Sequence, residues 1–485
     1  MNNVTRLINF WFLALIVLSG ACIASAQRKN QDMGYSEALS NKKDVIVIAK
    51  ANIKAEALIQ YDANQGDAAK ILRMSLPESI KVALSNNRRL AISKEEKMKA
   101  EGRLTEAQAG QYPYLNLSGS YTRLDKVSEF DIGLQKIKSG ELNNYKAELG
   151  LTQPLYTGGR VSNSIELASL GIKYSEEDFR SSQELVTFLV TKAYYDVLLA
   201  QDMVETNRKS LELIQAHLDE VAKSHKQGVV SNYDLLRAKV QVANINTLYL
   251  ESVNKLHLAR ISFINTIGLS LQGEPEIELT DKFVYEPTAQ LGENMMVIVA
   301  FENRADLKQA RLRTSMQATN IDLAQAGNRP TFSLFGNWGE ENPSARSIGV
   351  TGWNDYWNAG AVLAWPIFEG GRIKGKVIQE EAVLRQVQLM QRDIEEQIRF
   401  DVKQALLNLK DAEELVKSQQ ENVNQAEEGL RLARIGYEQG VHTQLEVLDT
   451  QSALDSARKN MSAALYAHMI ARVMLDKAMG ILGQK

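Results

Sequence analysis

Between residues 398 and 437 the apolar positions step by four and three. Ile398, Val402, Ala405, Leu409, Ala412, Val416, Val423, Ala426, Leu430, Ala433 and Tyr437 share one stripe, with Gln419 as its polar slot. That is a heptad seam, and it predicts a long helix packed lengthwise on a neighbour. Met461, Ala464, His468, Ala471, Leu475 and Ala478 repeat the pattern in a returning helix. Many of these residues are alanine, which suits close approach of backbones. Proline is absent between Leu155 and Glu274 and again from Ile367 to the C-terminus. Helices over about 159–227 and 231–271, then 371–439 and 443–482, follow, the longer ones reaching about 100 Å at ~1.5 Å per residue.

Four other stretches have period two. Leu115, Leu117, Gly119 and Tyr121 alternate with Asn116, Ser118, Ser120 and Thr122. Tyr145, Ala147, Leu149 and Leu151 do the same, as do Phe332, Leu334, Gly336 and Trp338. Trp357, Ala359, Ala361, Leu363 and Trp365 share the face of a fourth. Strands are predicted at about 112–123, 144–154, 330–339 and 355–366. Each has roughly the ten residues that a tilted membrane-spanning strand needs. Trp357 and Trp365 would sit at the two ends of the last one, where an aromatic girdle lies.

The chain reads as a duplication. Gln153-Pro-Leu-Tyr-Thr-Gly-Gly-Arg160 matches Trp365-Pro-Ile-Phe-Glu-Gly-Gly-Arg372, and Gln227-Gly-Val229 matches Gln439-Gly-Val441, both at an offset of 212. Gln108-Ala-Gly and Pro113 match Gln325-Ala-Gly and Pro330 at 217, so the first copy is five residues longer between Pro113 and Pro154. Two repeats, 75–285 and 290–485, result, each with a helix, two strands and two very long helices. Residues 27–74 match neither and carry no clear pattern.

The first 26 residues read as an export signal: Arg6, the apolar run Leu7 to Leu18, and small residues Ala24-Ser25-Ala26 before cleavage. Cys22 is the only cysteine, and Ser19 stands where a lipobox wants a leucine, so cleavage after Ala26 is expected rather than acylation. The mature chain then has no thiol chemistry and no disulfide. A net charge of −3 gives no basic excess to attract nucleic acid. Past the leader, the longest apolar run is Met295 to Phe301, too short to span a bilayer, so a membrane role falls to strands. Metalloprotease, serine-hydrolase and phosphate-loop motifs are absent. The histidines at 217, 225, 257, 442 and 468 are isolated, and His217 with His225 reads as ordinary helix surface. No catalytic residues, metal site or cofactor are expected.

Four strands cannot close a barrel, because the smallest known have eight. An open edge in lipid leaves backbone groups unsatisfied at a cost of several kcal/mol each. The barrel must be shared among chains: two would give eight strands and a side-chain-filled interior, and three would give twelve and room for a lumen.

These features together resemble the TolC family of outer-membrane efflux proteins over about residues 75–485. The resemblance implies a mainly α fold with a β-barrel part. Three chains would form a twelve-stranded outer-membrane barrel on a periplasmic α-helical barrel. It implies an outer-membrane location in a Gram-negative bacterium and passive exit for substrates delivered by a periplasmic adaptor and an inner-membrane pump. By the same resemblance the turns Gly228-Val229-Val230-Ser231 and Gly440-Val441-His442-Thr443 would dock the adaptor. Glu446 and Asp449 would form the tightest constriction. Tyr233 and Asp234 on one hairpin, with Tyr437 and His442 on the other, would latch the closed state. The best-known member has threonine in place of Tyr233 and arginine in place of His442. The bland alternative is an outer-membrane-anchored helical spacer or adhesin with no conducting pore. The substrate is not legible.

Overall fold

The computed structural model describes residues 71–133, 135–269, 276–287, 292–344 and 352–483. The export signal, Cys22 and most of the 27–74 extension lie outside these residues. One small unit contains, of the described residues, 71–73 and 276–278. There β1 (Ile71–Met74) and β6 (Glu276–Leu279) pair, and Arg73 Nε meets Glu278 Oε2 at 2.8 Å. Everything else belongs to the second unit, described from here on.

That unit is built twice, from helices of equal length. Helix α1 (Leu76–Asn86) and α2 (Arg88–Ala109) are answered by α5 (Glu293–Asn303) and α6 (Ala305–Ala326). The 67-residue α3 (Arg160–Lys226) and 35-residue α4 (Asn232–Thr266) are answered by α7 (Arg372–Glu438) and α8 (Gln444–Ala478), of 67 and 35 residues. The single helix expected before each pair of strands is two helices. Asn87 and Arg304 break it with extended backbone, ψ 123° and 126°, and Asn87 Oδ1 then caps Arg89 N at 2.9 Å. One extended residue ends a helix because it removes the i to i−4 register on both sides.

Strands β2 (Tyr114–Arg123), β5 (Asn143–Tyr156), β7 (Thr331–Asn342) and β8 (Asn354–Ala364) form one antiparallel sheet in the order β2-β5-β7-β8. Trp365 falls just outside β8, and its Nε1 donates to Asn328 O at 3.3 Å. A hairpin that the sequence reading missed, β3 (Ser128–Ile132) with β4 (Gln135–Ser139), lies in the longer first copy.

The registers put the apolar positions of all four strands on one face. Leu117 opposes Leu149, Leu149 opposes Trp338, and Trp338 opposes Trp357. Tyr121 and Tyr145 stack with centroids 5.0 Å apart. The other face is polar. Asn337 Nδ2 donates to Asn358 Oδ1 at 2.9 Å, Lys146 Nζ pairs with Glu148 Oε2 at 2.7 Å, and the Tyr356 hydroxyl donates to that same oxygen. Leu117 is 62% and Trp357 73% exposed in the single chain, which leaves a wide apolar surface outside and a hydrogen-bonded polar one behind it.

The helices pack as α3 with α4, α7 with α8, and α8 across α3. Ile398, Val402, Ala405 and Leu409 of α7 are buried with Ala471 and Leu475 of α8, in a core that also takes in Met296, Ala300 and Leu307. The expected seam holds to Val416, and Gln419, Val423 and Ala426 are half-buried. At its far end it moves off Tyr437 onto Gly436.

Between the repeats, residues 281–287 strap across α3 and α8. Asp281 Oδ2 accepts from Leu76 N at 3.0 Å and from the Tyr194 hydroxyl at 2.8 Å. Phe283 packs on Tyr195, Tyr285 lies on His468 with centroids 5.0 Å apart, and Glu286 meets Arg472 at 3.2 Å. His468 is fully buried, with neither ring nitrogen hydrogen-bonded among the described residues. Burial, then the charge of Arg472, pushes its pKa down, so it stays neutral.

A charged cluster lies where α3 passes the α5–α6 junction. Arg304 pairs with Asp306 at 2.6 Å and with Asp401 at 2.8 Å. Arg180 pairs with Glu177 at 2.9 Å and also donates to Asn303 O. Glu184 Oε1 stands 4.0 Å from Arg180 Nε, beyond hydrogen-bond reach, and burial pushes its carboxyl up to about 7. The folded state therefore holds a proton that the unfolded chain releases near pH 4.5. The contribution of Glu184 to stability is greatest below that value and falls as pH rises to about 7, by roughly 3 kcal/mol at most (about 1.4 kcal/mol per pK unit). Glu184→Gln is expected to raise the melting temperature at pH 8 and to flatten its dependence between pH 5 and 8. An unchanged pH profile would show that Glu184 ionises normally.

Candidate functional site

The site candidates sit at the two ends where long helices reverse. At each, glycine in the left-handed region closes the helix: Gly228 at φ 77° and Gly440 at φ 74°. Gly228 N donates to His225 O at 2.9 Å and Val229 N to Ser224 O at 3.0 Å. In the second turn Gly440 N donates to Tyr437 O at 3.0 Å and Val441 N to Gly436 O at 2.8 Å. Both are the glycine-closed helix ends that satisfy the last carbonyls.

The returning helices are capped at once. Ser231 Oγ accepts from Asp234 N at 3.2 Å and donates to Asp234 Oδ2 at 2.6 Å. Thr443 and Glu446 form a capping box: Glu446 N donates to Thr443 Oγ1 at 3.4 Å, and Thr443 N donates to Glu446 Oε2 at 3.0 Å. His442 Nδ1 stands 2.7 Å from that same oxygen. The Thr443 N–H, then His442, holds the Glu446 carboxyl below the usual carboxylate range. The His442 ring lies against Gly436, where any β-carbon would collide with it.

The candidates thus separate by what holds them. Asp234 is taken up by Ser231, and His442 by Glu446 of its own turn. Tyr233 is 72% exposed and Tyr437 43%. Asp449 is exposed one turn beyond Glu446, on the same side of α8. Val229 and Val441 are 77% and 75% exposed at matching positions of the two turns, and Val230 is half-buried.

One contact was not foreseen. Gln444 at the start of α8 meets His217 Nε2 on α3, which joins the second turn to the first long helix. His217 is half-buried, and burial lowers its pKa. Its partner lies 227 positions away, and neither residue carries a periodic signal, so sequence had no means of pairing them. Among the described residues there is no cluster of His, Cys, Asp and Glu fit for a metal ion, and no helix long and apolar enough to cross a membrane.

Comparison with known proteins agrees with this geometry. The family described as "Outer membrane efflux protein" matches residues 79–269 and 298–481, well over half the chain and in two parts. The outer membrane protein TolC of Vibrio cholerae is 23% identical over 388 residues, covering 79% of this chain and 85% of that protein. The probable efflux pump outer membrane protein TtgC of Pseudomonas putida is 24% identical over 413 residues, covering 84% and 83%. Among solved structures, VceC of Vibrio cholerae superposes with a TM-score of 0.69 at 20% identity, over 84% of this chain and 96% of that one. The channel OprN gives 0.71 at 17%, over 84% and 89%. With its doubled helix–strand–helix build and its membrane-type sheet, the chain belongs to the outer membrane efflux protein family, the TolC family of Gram-negative outer-membrane transport channels.

Proposed function

We propose that the chain is one third of a passive outer-membrane exit duct. The single observation that carries this is the four-stranded sheet, apolar on one face and polar on the other, with both outer edges unpaired among the described residues. Such edges are closed in lipid only by other strands, and three copies close a barrel wide enough for a lumen. The repeats 75–285 and 290–485 then each supply two strands above and one long helix pair below.

In this reading the tips point into the periplasm. The turns 228–231 and 440–443 meet a periplasmic adaptor, which joins the duct to an inner-membrane pump. The exposed Val229 and Val441 supply an apolar contact on each turn. Three copies gather Glu446 and Asp449 into rings around the axis, and acidic rings select cations. Tyr233 and Asp234 face Tyr437 and His442 across neighbouring helix pairs and hold the closed state. His442 can serve Glu446 of its own turn or Asp234 of the other hairpin, and only the second of these bonds ties neighbouring helix pairs together.

The purified protein in planar bilayers is expected to give discrete conductance steps, and its mass in detergent should be three chains. Particles of three chains that never conduct would favour the spacer or adhesin instead.

A further inference from the structure

Strands β2 and β8 are the two open edges of the sheet, and the sheet itself states how they meet. Within one chain a single row of opposed residues runs Tyr114, Thr152, Phe335, Gly360. β2 begins on that row, at Tyr114, whereas β8 continues past it to Ala364. The helix-proximal ends of the strands therefore descend by four residues from β2 to β8.

We propose that β8 of one copy pairs with β2 of a second copy in the register that sets Ala364 opposite Tyr114 and Asp355 opposite Arg123. The proposal rests on the shared-barrel reading and adds to it the residue-by-residue seam.

Four observations converge on this register. First, it aligns the helix-proximal ends of neighbouring copies, so all ten residues of β2 find a partner in β8. Second, the four-residue step, taken three times, amounts to about twelve residues of stagger over twelve strands. A barrel with stagger equal to strand number has strands tilted about 36°, within the ~35–45° of outer-membrane barrels. A flush seam, with Asn358 opposite Asn116, has no stagger and cannot close a tilted barrel.

Third, the faces match. Leu363 meets Leu115, Ala361 meets Leu117, Ala359 meets Gly119 and Trp357 meets Tyr121, continuing the apolar surface unbroken. A slip of one residue would send all of these to the polar side. Fourth, the charges match. Asp355 already faces Glu340 across the β7–β8 pair. Arg123 on its other side supplies the opposite charge. A slip of two residues towards greater stagger sets Arg123 against Trp357 and leaves Tyr114 and Leu115 facing residues beyond the end of β8.

Disulfide trapping in the full chain tests the register. Cys22 is the only native cysteine. The aligned pairs are Ala361→Cys with Leu117→Cys on the apolar face and Asn358→Cys with Ser120→Cys on the polar face. The slipped controls are Ala361→Cys with Leu115→Cys and Ala361→Cys with Gly119→Cys. Paired strands bring α-carbons to about 4.5–5.5 Å, inside disulfide range, and a two-residue slip carries them beyond ~7 Å. Mild oxidation of membranes is expected to link chains through both aligned pairs and through neither control. Links through a control at an equal or greater rate overturn the register but leave the shared barrel standing. Unlinked aligned pairs in a particle of three chains also overturn it. A particle with the mass of one chain and no links at all removes the shared barrel itself.

Discussion

Gly480→Ala is expected to destabilise the protein by about 2–5 kcal/mol, and Gly268→Ala by a similar amount. Each glycine closes a returning helix, α8 or α4, in the left-handed region, at φ 69° and 78°. A side chain in that conformation costs roughly 1–2 kcal/mol. Each also rests on the break in a split helix of its own repeat. A β-carbon at 480 would stand 2.8 Å from Arg304 N, and one at 268 would stand 2.8 Å from Asn86 O. These are backbone atoms that cannot swing aside, so overpacking adds a further ~1–3 kcal/mol. Gly171 provides the contrast. It lies inside α3 with open space around it, and Gly171→Ala should stabilise by roughly 0.5–1 kcal/mol. Urea midpoints at constant slope measure all three. A Gly480→Ala protein as stable as wild type would mean that the α5–α6 break can shift, against the packing described here.

The other large effect concerns conduction. Glu446→Gln/Asp449→Asn is expected to lose cation preference and block by divalent cations in single-channel recordings. Charge-to-amide changes are the right choice because Glu446 closes a capping box. Glu446→Ala would remove the reciprocal bond from Thr443 N together with the charge, whereas glutamine can still accept from Thr443 N. The cap itself is acid-resistant. A carboxyl held below its ordinary pKa contributes fully above the unfolded value of 4.5 and is lost only as pH falls through its lowered folded value. His442→Ala should loosen the closed state while leaving selectivity unchanged. A double mutant that conducts and selects like wild type would remove these carboxylates from the constriction.

The fold was legible where one physical constraint repeats over many residues. Missing prolines and the four-three seam exposed the long helices, and alternation exposed the four strands. What escaped was local or distant. The breaks at Asn87 and Arg304 hang on one extended residue each, without proline or glycine to announce them. The hairpin β3–β4 runs over 128–139, in the segment where the first copy is five residues longer. Its register opposes Glu129 with Lys138, Phe130 with Ile137 and Asp131 with Lys136, in strands of five residues that are too short for alternation to announce. The cluster of Arg180, Glu184, Arg304 and Asp401 joins three separated segments, which no spacing rule connects. At the tips, glycine and the capping residues were readable as turns. That His442 turns to Glu446 within its own turn, and that His217 meets Gln444, needed coordinates.

The equal helices have a consequence for how such a molecule can change size. With 67 residues in both α3 and α7 and 35 in both α4 and α8, the two helix pairs have the same reach. Inserting seven residues into one helix would keep its buried face but push its tip about 10 Å past its neighbours. The His217–Gln444 contact, which ties α8 to α3, would then be out of step. A longer or shorter reach is open to this architecture only when all four helices change together, so length here behaves as a single inherited trait written in four places.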